Sequence, residues 1–391
     1  MTAATNTPET LTAAERVAGV RPEWRNTVPA GPTLGLREGE LLHAGPPIDT
    51  PEDLCPPLRH AVCAALVFEG LAGNLEAADA LLAAGKVRLR PAQDLGVATP
   101  LAAVVSSSMW LHAVVDAAHP GRVAYAPLNE GPGPALRFGL ATPEVVARLR
   151  WVHGTLAPAL ADLPEAIELL PLAAEALAQG DELHARVGIA SGLLADRLHP
   201  DRLDEASASF LRAHTHLFLN AWMAACLCML SAARDYGKGD LVIAAGGNGR
   251  TFGIQRASAP GEWIAAPASP PLGPTLPDMP PTLERLPTIG DSALIDALGL
   301  GAMALDAAPA HAANFDPARV AALAETANAV LLARHPVLGR KVGLDAARVT
   351  PTHLPGVCLA ALDAQGVRGL VGFGIAAHPA ALYGMAGDGD A

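Results

Sequence analysis

From Ala213 to Ala233 the chain carries no Asp, Glu, Lys or Arg, and Arg212 and Arg234 close the run at either end. A stretch of this kind either crosses a bilayer or lies inside a large core. It contains His214, His216, Asn220 and Ser231, polar groups that hydrocarbon tolerates poorly, and no comparable second span accompanies it. The expectation is a buried helix in a chain with no membrane segment, with the other elements laid around it.

With 391 residues the chain is too long for one typical domain, and two or three compact units are expected. Hydrophobic residues make up 51% and aromatics only 4%, so the cores must be built from Ala, Leu and Val in close contact. A formal charge of −12 without a basic cluster excludes nucleic acid as a partner. Cys55, Cys63, Cys226, Cys228 and Cys358 are odd in number and scattered, which suits reduced thiols in a cytoplasmic protein. The opening Met1 to Thr10 lacks the basic and apolar regions of a signal peptide.

Breakers and periodicity divide the chain into four parts. Residues 1–55 read as an extended N-terminal arm, 56–150 as an α/β domain, 151–238 as a helical domain, and 239–391 as an α/β domain. The last contains a proline-rich loop at 260–287 with nine prolines, a length that is often functional. Helix breaks are expected near Asp162-Leu-Pro164, Gly180 and His199-Pro200, and the last dozen residues read as a frayed tail. The fold class is therefore α/β, with α/β units flanking a central helical block and a C-terminal hairpin from Val357–Ala361 and Val367–Ile375.

Gly180-Asp-Glu-Leu-His-Ala-Arg186 packs two carboxylates, an imidazole and a guanidinium together, and is read as a helix opening. There Asp181 and Glu182 serve either as first-turn caps or as partners of a base. His184 and Asp181, three apart on a helix, would suit a carboxylate-oriented general base. Ser106, Ser107 and Ser108 follow an apolar run, where hydroxyls and free amides either cradle an anion or form an ordinary turn. Asn129, Glu130 and Arg137 flank a Gly-rich turn suited to a carboxylate or phosphate, or to a surface ion pair. Gly246-Gly-Asn248-Gly249 lacks the spacing of a dinucleotide fingerprint, and Gly290-Asp291-Ser292 reads as a helix cap with exposed amides. His214 with His216, and Cys226 with Cys228, are two apart and cannot share a helix face, so no metal is expected, and no cofactor.

Taken together, Ala103-Val-Val-Ser-Ser-Ser-Met109, Ala124-Tyr-Ala-Pro-Leu-Asn-Glu-Gly131, Leu136-Arg-Phe-Gly139, Gly180 to Arg186, Asn248-Gly-Arg-Thr-Phe-Gly-Ile254, Gly290-Asp-Ser-Ala293 and Gly299-Leu-Gly301 carry a resemblance. Over Leu75 to Pro379 the chain resembles the domain-of-unknown-function family that includes the large subunit of the oxamate carbamoyltransferase of anaerobic allantoin degradation. The resemblance implies transfer of a carbamoyl group between phosphate and the nitrogen of a small amide or ureido acid such as oxamate. It also implies carbamoyl phosphate and a small carboxylate acceptor as ligands, in a homo-oligomer or a hetero-oligomer with other subunits.

Such a transfer needs groups for the phosphate, a stabiliser for the tetrahedral oxyanion and a base for the attacking nitrogen. On that reading Arg137 and Ser106 to Ser108 serve the first need, with Asn129, Glu130 and Arg186 also in the substrate set. Asn248, Asp291 and Ser292 serve the second, and His184 with Asp181 and Glu182 the third. The chain departs from the family pattern at Pro91 to Gly96, Val187 and Cys358 to Asp363, which leaves a changed substrate or a lost activity open. A non-catalytic scaffold subunit and an amidohydrolase acting on related substrates are the alternatives.

Overall fold

The computed structural model describes residues 8–162, 165–280 and 282–385. Met1 to Thr7 of the opening read as lacking a signal peptide, Leu163-Pro164 of the expected helix break, and Ala386 to Ala391 of the expected tail lie outside them. The described chain is a mixture of helices and sheets, as the α/β class requires.

The uncharged run forms the helix Leu217–Tyr236, stopped by Gly237 in the left-handed conformation at φ 67. It is long and apolar enough to cross a membrane, yet 83% of its apolar window is buried within the protein itself. Phe218 stacks on Trp222 with ring centroids 5.4 Å apart. Its small residues, Ala221, Ala224, Ala225 and Cys228, are all fully buried and let neighbouring backbones come close. This central helix packs on strands of both four-stranded sheets and on the helices Pro8–Ala18, Gly188–Arg197 and Ala293–Leu298.

The first sheet is antiparallel, in the order His119–Pro127, Trp110–Asp116, Pro22–Pro29, Ile167–Glu168. One of its two interior strands, Pro22–Pro29, therefore comes from the segment expected to be an extended arm. Pro8–Ala18 is helical, its Ala13, Ala14 and Val17 are fully buried, and the arm is part of the main body. The block 151–238 also gives the first sheet its edge strand, so it is not helical throughout.

The second sheet, also antiparallel, runs Ile289–Gly290, Val242–Asn248, Thr251–Arg256, Ala259–Pro267. Every residue of Val242–Asn248 is buried, which explains the absence of alternation in Val-Ile-Ala-Ala-Gly-Gly-Asn. Gly246 and Gly247 are strand residues, while Gly249, at φ 85, lies in the bend that joins this strand to the next. A Cβ on Gly247 would lie 2.1 Å from the Thr288 carbonyl oxygen, so the close strand approach demands glycine there.

The expected C-terminal hairpin is present as Gly356–Leu362 paired with Leu370–Ala377. The proline-rich segment begins inside a strand and then runs beside this hairpin. Leu272 exchanges backbone hydrogen bonds with Ile375, and the Leu276 amide donates to the Val371 carbonyl at 2.9 Å. Arg285 ties the strap to itself, donating to the Gly273 carbonyl and the Thr275 hydroxyl. After Asp291 the chain forms the helix Ala293–Leu298 and then a 3₁₀ stretch Gly301–Ala307, separated because Gly299 and Gly301 both take positive φ.

Candidate functional site

A cavity of about 550 Å³ draws its apolar walls from the two main cores, with Leu219 on one side and Leu101, Phe138, Leu359 and Phe373 on the other. Its polar lining consists of Asn129, Arg137, His184, Arg186, His214, Thr215, His216, Ser292 and His311. Both formally charged lining groups are cations.

The loop Gly180 to Val187 is not helical, contrary to the expected helix opening. Leu183 sits at φ 70, a left-handed conformation uncommon outside glycine, and its turn folds the loop back on itself. Glu182 holds that turn: one carboxylate oxygen accepts the His184 amide at 2.9 Å and the other accepts the Arg186 amide at 2.6 Å. Burial pushes the Glu182 carboxyl up to about 7. Asp181 accepts the Ile189 and Ala190 amides at 2.9 and 3.1 Å, so it caps the helix Gly188–Arg197 that begins seven residues later.

Asp181 therefore does not orient His184. That partner is Asp296, whose Oδ2 lies 2.6 Å from His184 Nδ1. Burial disfavours the His184 imidazolium, but the Asp296 carboxylate outweighs it and the net direction is upward. The other oxygen of Asp296 accepts the Ala302 and Cys358 amides at 2.7 and 3.1 Å, which fixes the carboxylate in place. A Cβ on Gly301 would lie 2.3 Å from Asp296 Oδ1 and 3.0 Å from His184 Cβ. Gly301, in the Gly299-Leu-Gly301 stretch, is thus the space that lets this pair form.

Across the cavity Arg137 is only 7% exposed and is held by Glu130 at 2.8 Å and the Gly131 carbonyl at 2.7 Å. Its guanidinium carbon sits 4.2 Å from the centre of the Phe138 ring. Asn129 accepts the Gly131 amide and donates to Asn220 of the central helix at 3.2 Å. His214 accepts the His216 amide on Nδ1, so its Nε2 carries the hydrogen, and that atom is buried without a protein partner. Burial, helped by Arg137, pushes His214 down to about 3 and keeps it neutral.

The remaining expected residues are placed elsewhere. Ser107 and Ser108 donate to the Glu69 carboxylate, while Ser106 is buried with an unpartnered hydroxyl; none lines the cavity. Asn248 accepts the Arg250 and Thr251 amides and donates to the Pro46 carbonyl, as a turn residue does. Asp291 is fully buried behind the cavity wall, with Gly45, Gln93 and Thr99 all donating to it, and burial pushes its carboxyl up to about 6. Only its neighbour Ser292 reaches the lining.

Sequence reasoning missed Asp296 and His311, and weighed His214 and His216 only as a metal pair on a helix. The latter two lie in the turn before the central helix, where an i, i+2 spacing does bring both to one cavity. No local signal marks Asp296 or His311.

The fold and the cavity define a mixed α/β protein with an internal site lined by arginine and imidazole. The chain belongs to the family described as oxamate carbamoyltransferase subunit AllG, whose model matches residues 87–292. It is 32% identical over 403 residues to the oxamate carbamoyltransferase subunit AllG of Escherichia coli (strain K12), a match covering 96% of this chain and 91% of that protein. It is also 32% identical over 287 residues to the uncharacterized protein YahG of the same organism, covering 71% and 60%. A crystal structure of a conserved protein of unknown function from Enterococcus faecalis V583 superposes with a TM-score of 0.91 at 28% identity, covering 96% and 95%.

Proposed function

We propose that this chain is a cytoplasmic carbamoyltransferase subunit whose cavity takes carbamoyl phosphate and a small carboxylate acceptor such as oxamate. The observation that carries the reading is the lining: two arginines and four histidines, with no carboxylate among the lining side chains. Such a wall favours small anions over cations or neutral ligands. Kinship with a carbamoyltransferase subunit supplies the reaction class.

In the proposed reaction the acceptor nitrogen attacks the carbamoyl carbon, the bond from that carbon to the phosphate oxygen breaks, and inorganic phosphate leaves. Asp296 holds the Nδ1 proton of His184, which leaves Nε2 to take the proton from the attacking nitrogen. Arg137 and Arg186 balance the phosphate and carboxylate charges, and Ser292 and the His214 Nε2–H are the donors within the lining for the developing oxyanion. The name of the E. coli relative supports work alongside other subunits.

The competing reading is a non-catalytic scaffold subunit. In its favour, Arg137 is already ion-paired with Glu130, and the Asn129 amide is already engaged by Asn220 and Gly131. A coupled assay decides between them. Folded chain, alone and with the proteins encoded beside it, is given carbamoyl phosphate with oxamate and then ureidoglycolate, and phosphate and carbamoylated product are followed. Acceptor-dependent phosphate release supports the transferase; silence in every combination transfers the assignment to the scaffold.

A further inference from the structure

Beside the His184–Asp296 pair lies a group of side chains that the proposed reaction does not use. Glu182, His311 and Cys358 are all buried, and each offers one ligand atom, with all three atoms within 4.8 Å of one another. They come from the Gly180 to Val187 loop, a short helix Pro309–Ala312 and the hairpin strand Gly356–Leu362. We propose that Glu182, His311 and Cys358 form a site for a divalent transition metal of the zinc type, with its fourth position open to the cavity.

The geometry suits that ion. Metal–nitrogen and metal–sulfur bonds of about 2.0 and 2.3 Å at a tetrahedral angle set the two donor atoms roughly 3.5 Å apart. His311 Nε2 and Cys358 Sγ are 3.3 Å apart. The Glu182 carboxylate lies within 4.8 Å of both, so closing on an ion needs a shift of at most about 1.5 Å, with its two amide bonds lengthening accordingly. One imidazole, one thiolate and one carboxylate together select zinc-like ions over magnesium or calcium, which prefer oxygen alone.

Each ligand is also held from behind, as metal ligands are. Two backbone amides fix the Glu182 carboxylate. The Cys358 backbone amide donates to Asp296. The His311 ring is set by Phe315 and Phe373, with centroids 5.4 Å away in both cases. His311 lines the cavity, so a bound ion would face the substrate space with three protein ligands and one free position, the arrangement of a catalytic ion. Binding exchanges the Cys358 thiol proton for the metal, and the two anionic ligands balance its charge. An ion there would polarise a carbonyl oxygen in the cavity.

The inference stands apart from carbamoyl transfer, because its readouts are metal content and spectra. Full-length chain is stripped with chelator, shown to be folded by circular dichroism, and titrated with Co²⁺ and then Zn²⁺. The expected result is saturation at about one ion per chain, with a thiolate-to-cobalt charge-transfer band that Zn²⁺ abolishes. Cys358→Ser and His311→Ala should each weaken Zn²⁺ binding by more than about a hundredfold. No charge-transfer band in folded wild-type protein overturns the proposal, whatever the variants do. So does Zn²⁺ binding that Cys358→Ser and Glu182→Gln, with thermal stability retained, leave unchanged.

Discussion

Replacing Asp291 by alanine removes a carboxylate that ties three segments together. Its Oδ1 accepts the Gly45 amide at 2.8 Å and Gln93 Nε2 at 2.6 Å, and its Oδ2 accepts the Thr99 amide and hydroxyl, both at 2.9 Å. Gln93 keeps a second acceptor, the Ala245 carbonyl, but the Gly45 and Thr99 amides are left buried without this partner. Two such orphaned donors, plus the space vacated, cost about 4 kcal/mol. With an unfolding entropy of roughly 2.1 cal/mol/K per residue over the chain, that lowers Tm by about 5 °C.

The pH dependence gives a second handle on the same residue. Burial raises the carboxyl from an ordinary 3.8 to about 6, so the folded state holds this proton more tightly than the unfolded state does. The linked stability is fully present below pH 3.8 and is lost as pH rises through about 6. Between pH 4.5 and 7.5 the wild-type advantage over Asp291→Ala should shrink by about 2 kcal/mol. Differential scanning fluorimetry of both proteins across that range, with turnover measured at 25 °C, checks both statements. A gap that is flat or widens with pH refutes the linkage argument. An unchanged Tm with lost turnover would return Asp291 to the chemistry, where the sequence reading had put it.

Other expectations follow from the same geometry. His184→Gln should cut turnover by about two to four orders of magnitude, measured by phosphate release on protein shown to be folded; wild-type turnover would remove it as the base. Arg186→Gln should raise KM for the anionic substrates by about tenfold to a hundredfold, seen in substrate titrations, because a hydrogen bond to a charged partner is lost. Gly301→Ala should disturb Asp296 and His184 together, costing about 1 to 3 kcal/mol by denaturant unfolding and lowering turnover as well. Trp222→Ala should cost about 3 to 5 kcal/mol by the same measurement, since its ring is fully buried beside Phe218 in the central helix.

The central helix was legible because charge is absent from Ala213 to Ala233 and Gly237 ends it, both local signals. The hairpin at 356–377 was legible for the same reason, through two apolar runs and a turn. The N-terminal segment was not: Pro22, Glu23, Arg25 and Asn26 look like loop residues, and only pairing with Trp110–Asp116 makes them an interior strand. Gly180 to Arg186 was recognised as a site but given the wrong backbone. Acidic residues after a glycine have the composition of a helix start, but the helix that Asp181 caps begins only at Gly188, and Glu182 holds the loop before it. Asp296 and Cys358 were invisible because an Asp within an apolar helix and a Cys within an apolar strand carry no spacing signal. The partner of Asp296 is 112 residues away in sequence, and Cys358 meets His311, 47 residues before it, and Glu182, earlier still.

Translation delivers this chain from one end, yet its first helix has its partners near the other. Pro8–Ala18 packs on the central helix and then on the strand pair Leu331–Arg334 and Lys341–Leu344. At about 5 to 20 residues per second, the ribosome needs roughly 20 to 60 s to make the last of those contacts available. Through that interval only the central helix is available to cover the apolar face of Ala13, Ala14 and Val17. Release of a nascent chain short of Leu344 should therefore leave this helix less protected in hydrogen exchange than in the full chain, even once the central helix has formed.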